Sequence, residues 1–304
     1  MPIYLGIDAG GTKTDCAISN GAELLGQATG PTCKLARVGE YDARGNLHRT
    51  ILQACEAAAL PPGEIRQVCI GMAGASVPGS ADWVKQVIHE LTLGNVNVVG
   101  DHIIAHQAAF GRLPGVLVSS GTGSIAYGCN DRGESGRAGG WGASISDQGS
   151  AFWIGREAVT AALQEFDQGH RGGLFSLIVQ SWGCAGIEDV VRIANTEPNQ
   201  RLTELAGAVA LAAEQGDQAA RRILERAGQE LAALAGAVIT RLWPPDTTVR
   251  IVMTGGVLQG SSLVRRALQH SLQAKHSKVA VSYTQVRPVL GALELAARQV
   301  PAHV

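Results

Sequence analysis

Residues that can bind phosphate stand together near the start of the chain, in the segment Gly10-Gly11-Thr12-Lys13. An apolar run over residues 3–7 precedes the segment and ends at the carboxylate of Asp8. Backbone N–H groups of a small-residue turn and a threonine hydroxyl can donate hydrogen bonds to phosphate oxygens. A carboxylate beside such a turn can hold a hydrated Mg²⁺ that bridges the phosphates. The pattern therefore predicts a phosphate-binding turn with Asp8 as its metal-side acid.

The flanking residues predict that this turn joins two strands, which distinguishes it from a P-loop. A P-loop opens a helix whose N-terminus holds the phosphates. Here residues 14–19 alternate in polarity and end at Asn20-Gly21, which is a strong hairpin signal. Two questions stay open at this point. Lys13 either binds phosphate or lies in solvent, and the glycines either admit a ligand or only supply the positive φ of a tight turn.

Two more Gly-rich turns follow apolar runs later in the chain. Gly121-Thr122-Gly123-Ser124 leads into a returning strand, so it repeats the first unit, and Gly255-Gly256 opens a helix. One such turn is common, whereas three in this order are far more specific. The repeat lies about one small-domain length after the first unit. Two such units facing each other would hold a nucleotide between related domains.

Length and composition indicate a folded α/β protein. The 304 residues suit one large domain or two ordinary ones, and 45% hydrophobic with 17% charged residues provide an ample core. Strand triplets alternate with helices, and the chain becomes mainly helical after Gln148. We therefore expect an α/β fold with two mixed sheets.

The same data argue against several kinds of partner. A net charge of −1 without blocks of like charge gives no footprint for nucleic acid or an anionic membrane. The six cysteines form no CxxC pair and have no zinc-ligand spacing. His102 and His106 lack a third ligand at suitable spacing, so they predict a structural pair. With neither a signal peptide nor a membrane-spanning apolar run, we expect a cytoplasmic protein.

With these three turns, the sequence resembles the actin-like ATPase superfamily of sugar kinases, heat-shock chaperones and actin. The first turn is similar to its phosphate-1 motif, the second to its phosphate-2 motif, and Met253-Thr254-Gly255-Gly256-Val257 to its adenosine motif. The resemblance implies two ribonuclease H-like domains with helices flanking the sheets, the nucleotide in the interdomain cleft, and ATP and Mg²⁺ as cofactors. We expect a small N-terminal domain at 1–113 plus 287–304 and a large C-terminal domain at 114–286.

Within that superfamily the chain looks most like the N-acetylglucosamine kinases. The similarity is greatest over residues 139–153, where Gly139-Gly140-Trp141-Gly142 is followed by Asp147-Gln148-Gly149-Ser150-Ala151. The resemblance implies that ATP phosphorylates an amino sugar, N-acetylglucosamine, to its 6-phosphate, and that the protein is a homodimer. It also implies a sugar site formed by Asp101, Thr122, Gly140, Trp141 and Asp147.

By this resemblance Asp101 is the expected catalytic base and Asp147 a ligand of the sugar hydroxyls. Asp101 directly follows a predicted strand, and a carboxylate there can accept the proton of a sugar hydroxyl during phosphoryl transfer. Each acid could instead cap the helix that follows it, with Ser146 competing for that role near Asp147. Trp141 could likewise be a core residue rather than a wall of the sugar pocket.

Two departures from the family pattern leave the sugar open. An Asn that reaches the sugar in most members is absent from Pro31-Thr32-Cys33-Lys34, and Ala73 stands where some members have Ser. Glucosamine is therefore the alternative substrate. An alternative from another class is an ATPase that activates a redox partner enzyme. Related proteins of that class hold an iron–sulfur cluster between subunits, but Cys129 and Cys184 show no cluster motif.

Overall fold

Buried apolar strands form two five-stranded sheets. The strands of the first sheet lie within residues 3–100, and those of the second lie within residues 115–283. The structure, a computed structural model, describes residues 1–75, 77–170, 172–196 and 198–298. The chain divides into two compact units, Met1–Arg112 with Val286–Val304, and Leu113–Gln285. Residues 299–304 of the expected small domain lie outside the described residues.

The first sheet contains β1 (Ile3–Ala9), β2 (Lys13–Ser19), β3 (Leu24–Pro31), β4 (Ile65–Met72) and β5 (Asn95–Gly100), in the order β3-β2-β1-β4-β5. The first three strands pair antiparallel through hairpins, whereas β1, β4 and β5 run parallel. The predicted strand–turn–strand unit is confirmed, because a strand and not a helix follows the first turn. Parallel pairing also brings the C-terminal ends of β1 and β5 to the same edge of the sheet.

Helices α1 (Leu35–Ala57) and α2 (Ser80–His89) cover one face of this sheet, and α3 (Asp101–Phe110) and α11 (Pro288–Arg298) cover the other. A short 3₁₀ turn, Pro62–Glu64, precedes β4. Helix α1 begins at Leu35 and is interrupted at Gly39, where φ is 77°. The residues before this break lack the apolar period that continues through the rest of α1, so the pattern did not show them.

The second sheet contains β6 (Gly115–Ser120), β7 (Ser124–Cys129), β8 (Ser135–Gly139), β9 (Val249–Thr254) and β10 (Val279–Tyr283), in the order β10-β9-β6-β7-β8. Again the first three strands are antiparallel, and β6, β9 and β10 run parallel. The two sheets therefore share one topology. This confirms the predicted internal repeat and the α/β class with two mixed sheets.

Five helices lie between β8 and β9: α4 (Ala151–Asp167), α5 (Gly173–Trp182), α6 (Ile187–Thr196), α7 (Pro198–Glu214) and α8 (Gln218–Leu242). Two more, α9 (Gly256–Gly260) and α10 (Ser262–Lys275), separate β9 from β10.

Within the described ranges, no single helix is both long and apolar enough to cross a membrane. Among the helices that the structure describes, only α5 and α6 taken together, with a 63° bend between them, pass that test by length and composition.

Two glycines let the backbone of α11 approach its neighbours in the first unit. A Cβ at Gly6 of β1 would lie 2.5 Å from the backbone nitrogen of Leu293. A Cβ at Gly291 of α11 would overlap the carbonyl oxygen of Ile104 in α3. Any larger residue at these positions would push the backbones apart, so the glycines fix how closely α11 packs.

We expect Gly291→Ala to lower the free energy of unfolding by about 1–3 kcal/mol, which is the usual cost of overpacking a filled site. Gly45→Ala is the matched control, because a Cβ at this position of α1 meets only Arg49, at 4.0 Å. It should raise the free energy of unfolding by up to about 1 kcal/mol, since Ala favours a helix over Gly. Urea denaturation measures both changes, and a neutral Gly291→Ala would contradict the close approach of α11 to α3.

Candidate active site

The first turn, between β1 and β2, is held from one side by two side chains of the same unit. Thr32 donates a hydrogen bond from Oγ1 to the carbonyl oxygen of Gly10 at 2.8 Å, and Arg37 donates from Nη1 to that of Gly11 at 2.8 Å. A trans peptide points its N–H opposite to its C=O. The N–H groups of Gly11 and Thr12 therefore point away from Thr32 and Arg37, as donors to a ligand must.

Thr32 and Arg37 were not found by sequence reasoning. Thr32 lies 22 residues from Gly10, and Arg37 lies 26 residues from Gly11. Their contacts depend on the hairpin pairing of β2 with β3, which returns the chain to the first turn. Neither residue type marks such a contact in a single sequence.

The glycines of the first two turns are not there for a left-handed backbone. Among the described residues, φ is in the left-handed region at fourteen glycines, and Gly10, Gly11, Gly121 and Gly123 are not among them. A Cβ at Gly11 or at Gly121 would meet no atom of the protein within 4 Å. The hypothesis that these glycines only supply positive φ is therefore wrong. At Gly11 and Gly121 they keep open a space that a ligand can enter.

Asp8 lies at the end of β1 and is largely buried. Burial, followed by the nearby carboxylates of Asp101 and Asp15, raises the pKa of Asp8 from 3.8 to about 7, against a lowering influence of Lys13. The Lys13 side chain is 61% exposed, and its Nζ lies 2.7 Å from Oδ2 of Asp15. The sheet has thus brought acids from distant parts of the first unit close enough to repel one another.

This group of acids suits a magnesium ion better than a metal ion whose ligands are all protein side chains. No cluster of three or more His, Cys, Asp or Glu side chains suited to a metal occurs in the described part of the chain. Mg²⁺ is commonly held by one or two carboxylates together with water and substrate phosphates. Asp8, beside Asp101 and the first turn, satisfies that requirement, and a cation there would relieve the repulsion between the carboxylates.

Asp101 is the first residue of α3, and its carboxylate is bound by the next residue. The backbone N–H of His102 donates to Asp101 Oδ1 at 2.9 Å, and His102 Nδ1 lies 3.5 Å from the same oxygen. The alternative that Asp101 caps α3 is wrong, because the N-cap is Gly100. A Cβ at Gly100 would lie 2.7 Å from His102 Nδ1, so this glycine leaves room for the imidazole. The Asp101 side chain is 46% exposed.

In the second unit, the turn between β6 and β7 is closed by a hydrogen bond from the N–H of Gly121 to the carbonyl oxygen of Gly123 at 2.9 Å. Thr122 is exposed at its tip, and Ser124 is buried at the start of β7.

Asp147 is buried in the loop before α4 and has a φ of 64°. The alternative that Asp147 or Ser146 caps α4 is wrong, because Ser150 is the N-cap and accepts from the N–H of Trp153.

Trp141 lies on the surface of the second unit. Its side chain is 62% exposed, which excludes the alternative that it is a core residue. The Arg137 guanidinium lies 3.9 Å from the centroid of its ring and donates to the carbonyl oxygen of Gly140 at 3.2 Å. Gly140 has a φ of 69°, a conformation that favours glycine. The loop therefore presents an aromatic ring whose orientation is supported by a cation–π contact.

The third turn, between β9 and α9, contains one close approach and one open position. A Cβ at Gly255 would lie 2.7 Å from the carbonyl carbon of Ser120, whereas a Cβ at Gly256 would meet nothing within 4 Å. A groove opens near the end of α9. Residues of α7, α8 and α10 and the α9–α10 junction line this groove, among them Ala213, Arg221, Leu224, Ser261, Ser262 and Arg266.

Comparison with known proteins places the chain in a defined group. Residues 5–296 match the BadF/BadG/BcrA/BcrD ATPase family. The chain is 30% identical over 302 residues to the N-acetylmuramic acid/N-acetylglucosamine kinase of Clostridium acetobutylicum, with 97% of this chain and 98% of that protein covered. It is 28% identical over 310 residues to the N-acetyl-D-glucosamine kinase of Dictyostelium discoideum, with 97% of each covered.

The fold is also that of a solved structure from Chromobacterium violaceum, described as a candidate N-acetylglucosamine kinase. The two share a TM-score of 0.81 at 22% identity, with 97% of this chain and 99% of that chain covered. Identity at this level shows the fold alone. The predicted fold class, two actin-like ATPase domains with mixed sheets flanked by helices, is confirmed.

The raised pKa of Asp8 predicts how stability depends on pH in the metal-free protein. The folded chain keeps a proton on Asp8 up to about pH 7, whereas the unfolded chain loses it near pH 3.8. The unfolded state therefore binds fewer protons in this window, and the free energy of unfolding falls as pH rises from roughly 4 to roughly 7. Asp8→Asn should remove this contribution, so in EDTA it gains stability relative to wild type across the window.

Urea denaturation at a series of pH values measures this difference. Asp101→Asn is the informative second variant, because removing its charge should lower the pKa of Asp8. The pH range over which the free energy of unfolding falls should then move to lower pH. If the free energies of unfolding of Asp8→Asn and wild type differ by the same amount at every pH, Asp8 keeps an ordinary pKa.

Proposed function

The chain belongs to the BadF/BadG/BcrA/BcrD ATPase family, and we propose that it is an ATP-dependent kinase that converts an amino sugar, N-acetylglucosamine, to its 6-phosphate. The observation that carries this proposal is the near-complete alignment with two kinases named for N-acetylglucosamine, at 30% and 28% identity. Within the first unit the proximity of Asp8 to Asp101 supports it, and within the second unit the position of Asp147 beside the second turn does so.

Asp101 is the proposed general base. Its Oδ1 is bound by the N–H of His102, which holds the carboxylate at the start of α3, and Oδ2 is the oxygen that would accept the proton. The carboxylate would accept the proton of the 6-hydroxyl as that oxygen attacks the γ-phosphorus and the bond to ADP breaks. Magnesium, when bound, would neutralise charge on the phosphate oxygens, and Asp8 is the residue that would hold it.

Each Gly-rich turn is proposed to bind part of ATP. In the first turn, the N–H groups of Gly11 and Thr12 would donate to phosphate oxygens, with Gly10 leaving room for the carbonyl oxygen of Lys13. In the second, Gly121 leaves space for a phosphate and Thr122 is exposed at the tip. Gly255 and Gly256, together with the groove beside α9, would hold the adenosine.

Asp147 and Trp141 are the proposed sugar ligands of the second unit, with Gly140 and Thr122 beside them. A buried carboxylate can accept hydrogen bonds from two adjacent sugar hydroxyls. An exposed aromatic ring can pack against the apolar face of a sugar ring. We further propose that the protein binds Mg²⁺, acts in the cytoplasm and is a homodimer.

Glucosamine remains the alternative substrate, because the segment Pro31-Thr32-Cys33-Lys34 lacks the Asn of the family pattern. A redox activator is less well supported. Cys129 and Cys184 carry no motif of iron–sulfur cluster ligands. Iron analysis of the purified protein separates this second class from a kinase.

Purified protein should release ADP from ATP and Mg²⁺ when N-acetylglucosamine is added. Asp101→Asn should lower kcat by roughly 10²–10⁴-fold, because the proton acceptor is lost while the shape of the site is kept. Asp82→Asn is the matched control, since it changes an exposed acid in the first turn of α2. A coupled ADP assay measures both variants, and thermal denaturation checks that they fold.

A sugar panel completes this test. Activity with glucosamine but not N-acetylglucosamine would establish the alternative substrate, and glucose and N-acetylmannosamine report on tolerance at the amino position. Absence of ADP release with all four sugars would overturn the proposal of an amino-sugar kinase.

Gly11→Ala tests the phosphate-binding role of the first turn. Because the space around its Cβ is empty of protein, the variant should unfold at the wild-type temperature. It should nevertheless raise the KM for ATP by about tenfold or more, since the methyl group would occupy space needed by a phosphate. Isothermal titration with a non-hydrolysable ATP analogue measures this directly, and unchanged affinity would remove the first turn from the nucleotide site.

A further inference from the structure

The second turn is fastened to the loop that carries Asp147. Ser120 donates from Oγ to the carbonyl oxygen of Gly149 at 2.8 Å, and Ser124 donates from Oγ to that of Gln148 at 2.7 Å. Both serine side chains are buried, at 0% and 3% exposure. Since a buried hydroxyl hydrogen can serve only one acceptor at a time, neither hydroxyl is available to donate to phosphate in this arrangement.

Backbone hydrogen bonds extend the same attachment to the start of α4. The N–H of Ala151 donates to the carbonyl oxygen of Gly121 at 2.9 Å, and the N–H of Phe152 donates to that of Thr122 at 3.4 Å. The planar trans peptide then directs the N–H groups of Thr122 and Gly123 away from α4. The loop and helix therefore determine which way the donors of the turn point.

Gly123 brings the carboxylate of Asp147 close to the turn. A Cβ at Gly123 would lie 2.7 Å from Oδ2 of Asp147 and 3.2 Å from its Cγ. The φ of Gly123 does not require glycine. Room for this carboxylate is thus the physical reason for a glycine here, which is a different reason from the open space at Gly121.

From these contacts we propose that Ser120, Gly123 and Ser124 are positioning residues for Asp147, and that the two hydroxyls and the absent Cβ of Gly123 determine sugar affinity rather than phosphate binding. This inference rests on the proposed function, because it assumes that Asp147 binds the amino sugar. It reassigns Gly123 and Ser124, which the phosphate-2 motif attributes to the nucleotide. The same turn then has two functions, with Gly121 and Thr122 facing ATP and the other residues supporting the sugar ligand.

The test compares three variants of the one turn. Ser124→Ala removes a hydrogen bond to the Asp147 loop, and Gly123→Ala displaces the carboxylate by a steric contact. Ser124→Ala should raise the Kd and KM for N-acetylglucosamine by about tenfold, the usual effect of losing one buried hydrogen bond. Gly123→Ala should raise them through displacement of the carboxylate, and both variants should change the KM for ATP far less. Gly121→Ala is the matched control, and it should raise the KM for ATP while leaving the sugar Kd unchanged.

A double-mutant cycle shows whether Gly123 acts through Asp147. In an Asp147→Ala background the carboxylate is absent, so Gly123→Ala should have no further effect on the sugar Kd. Titration calorimetry measures sugar binding without turnover, and thermal denaturation confirms that each variant folds. If Gly123→Ala weakens binding equally in both backgrounds, or if Ser124→Ala changes only the KM for ATP, the positioning role is wrong.

The same experiment separates failure of this inference from failure of the proposed function. If the wild-type protein binds none of the amino sugars, the proposed function fails, and the inference fails with it. If wild type binds sugar and both Ser124→Ala and Gly123→Ala bind it as tightly, the inference alone is overturned.

Discussion

Parallel pairing of strands within each sheet is the constraint on which the candidate site depends. In the first unit, β1, β4 and β5 run in one direction, so Asp8 and Asp101 meet at one sheet edge although 92 residues lie between them. Their proximity is the electrostatic reason, after burial, for the raised pKa of Asp8. In the second unit, the pairing of β6 with β9 brings Gly255 against the backbone of Ser120. Each cluster of chemically useful groups is thus produced by sheet topology rather than by local sequence.

Much of this could be predicted from the sequence. Gly-rich turns between apolar runs located the hairpins, because a strand, a small-residue turn and a returning strand have a clear local pattern. The position of Asp101 directly after β5 was also predicted correctly, because an apolar run marks the strand before it. The sequence left capping open as an alternative at both acids, because several adjacent residues can cap a helix and tertiary contacts decide which one does.

The glycines show most clearly what a single sequence cannot reveal. Gly11 and Gly121 have empty space around them, Gly123 makes room for a carboxylate, and Gly255 allows two backbones to touch. All four stand in similar motifs, and only the atoms near each absent Cβ distinguish their roles. The supporting contacts of Thr32 and Arg37 were hidden for a related reason, since they join residues that only hairpin pairing brings together.

The acceptors of Ser120 and Ser124 are main-chain carbonyls, and this has an evolutionary consequence for the loop before α4. A carbonyl is present whatever the side chain, so the identity of residue 148 can drift without loss of the contact. An insertion or deletion between Asp147 and Ser150 would instead move both carbonyls out of register with the two serines. We therefore expect related chains to vary in the side chains of this loop while keeping its length.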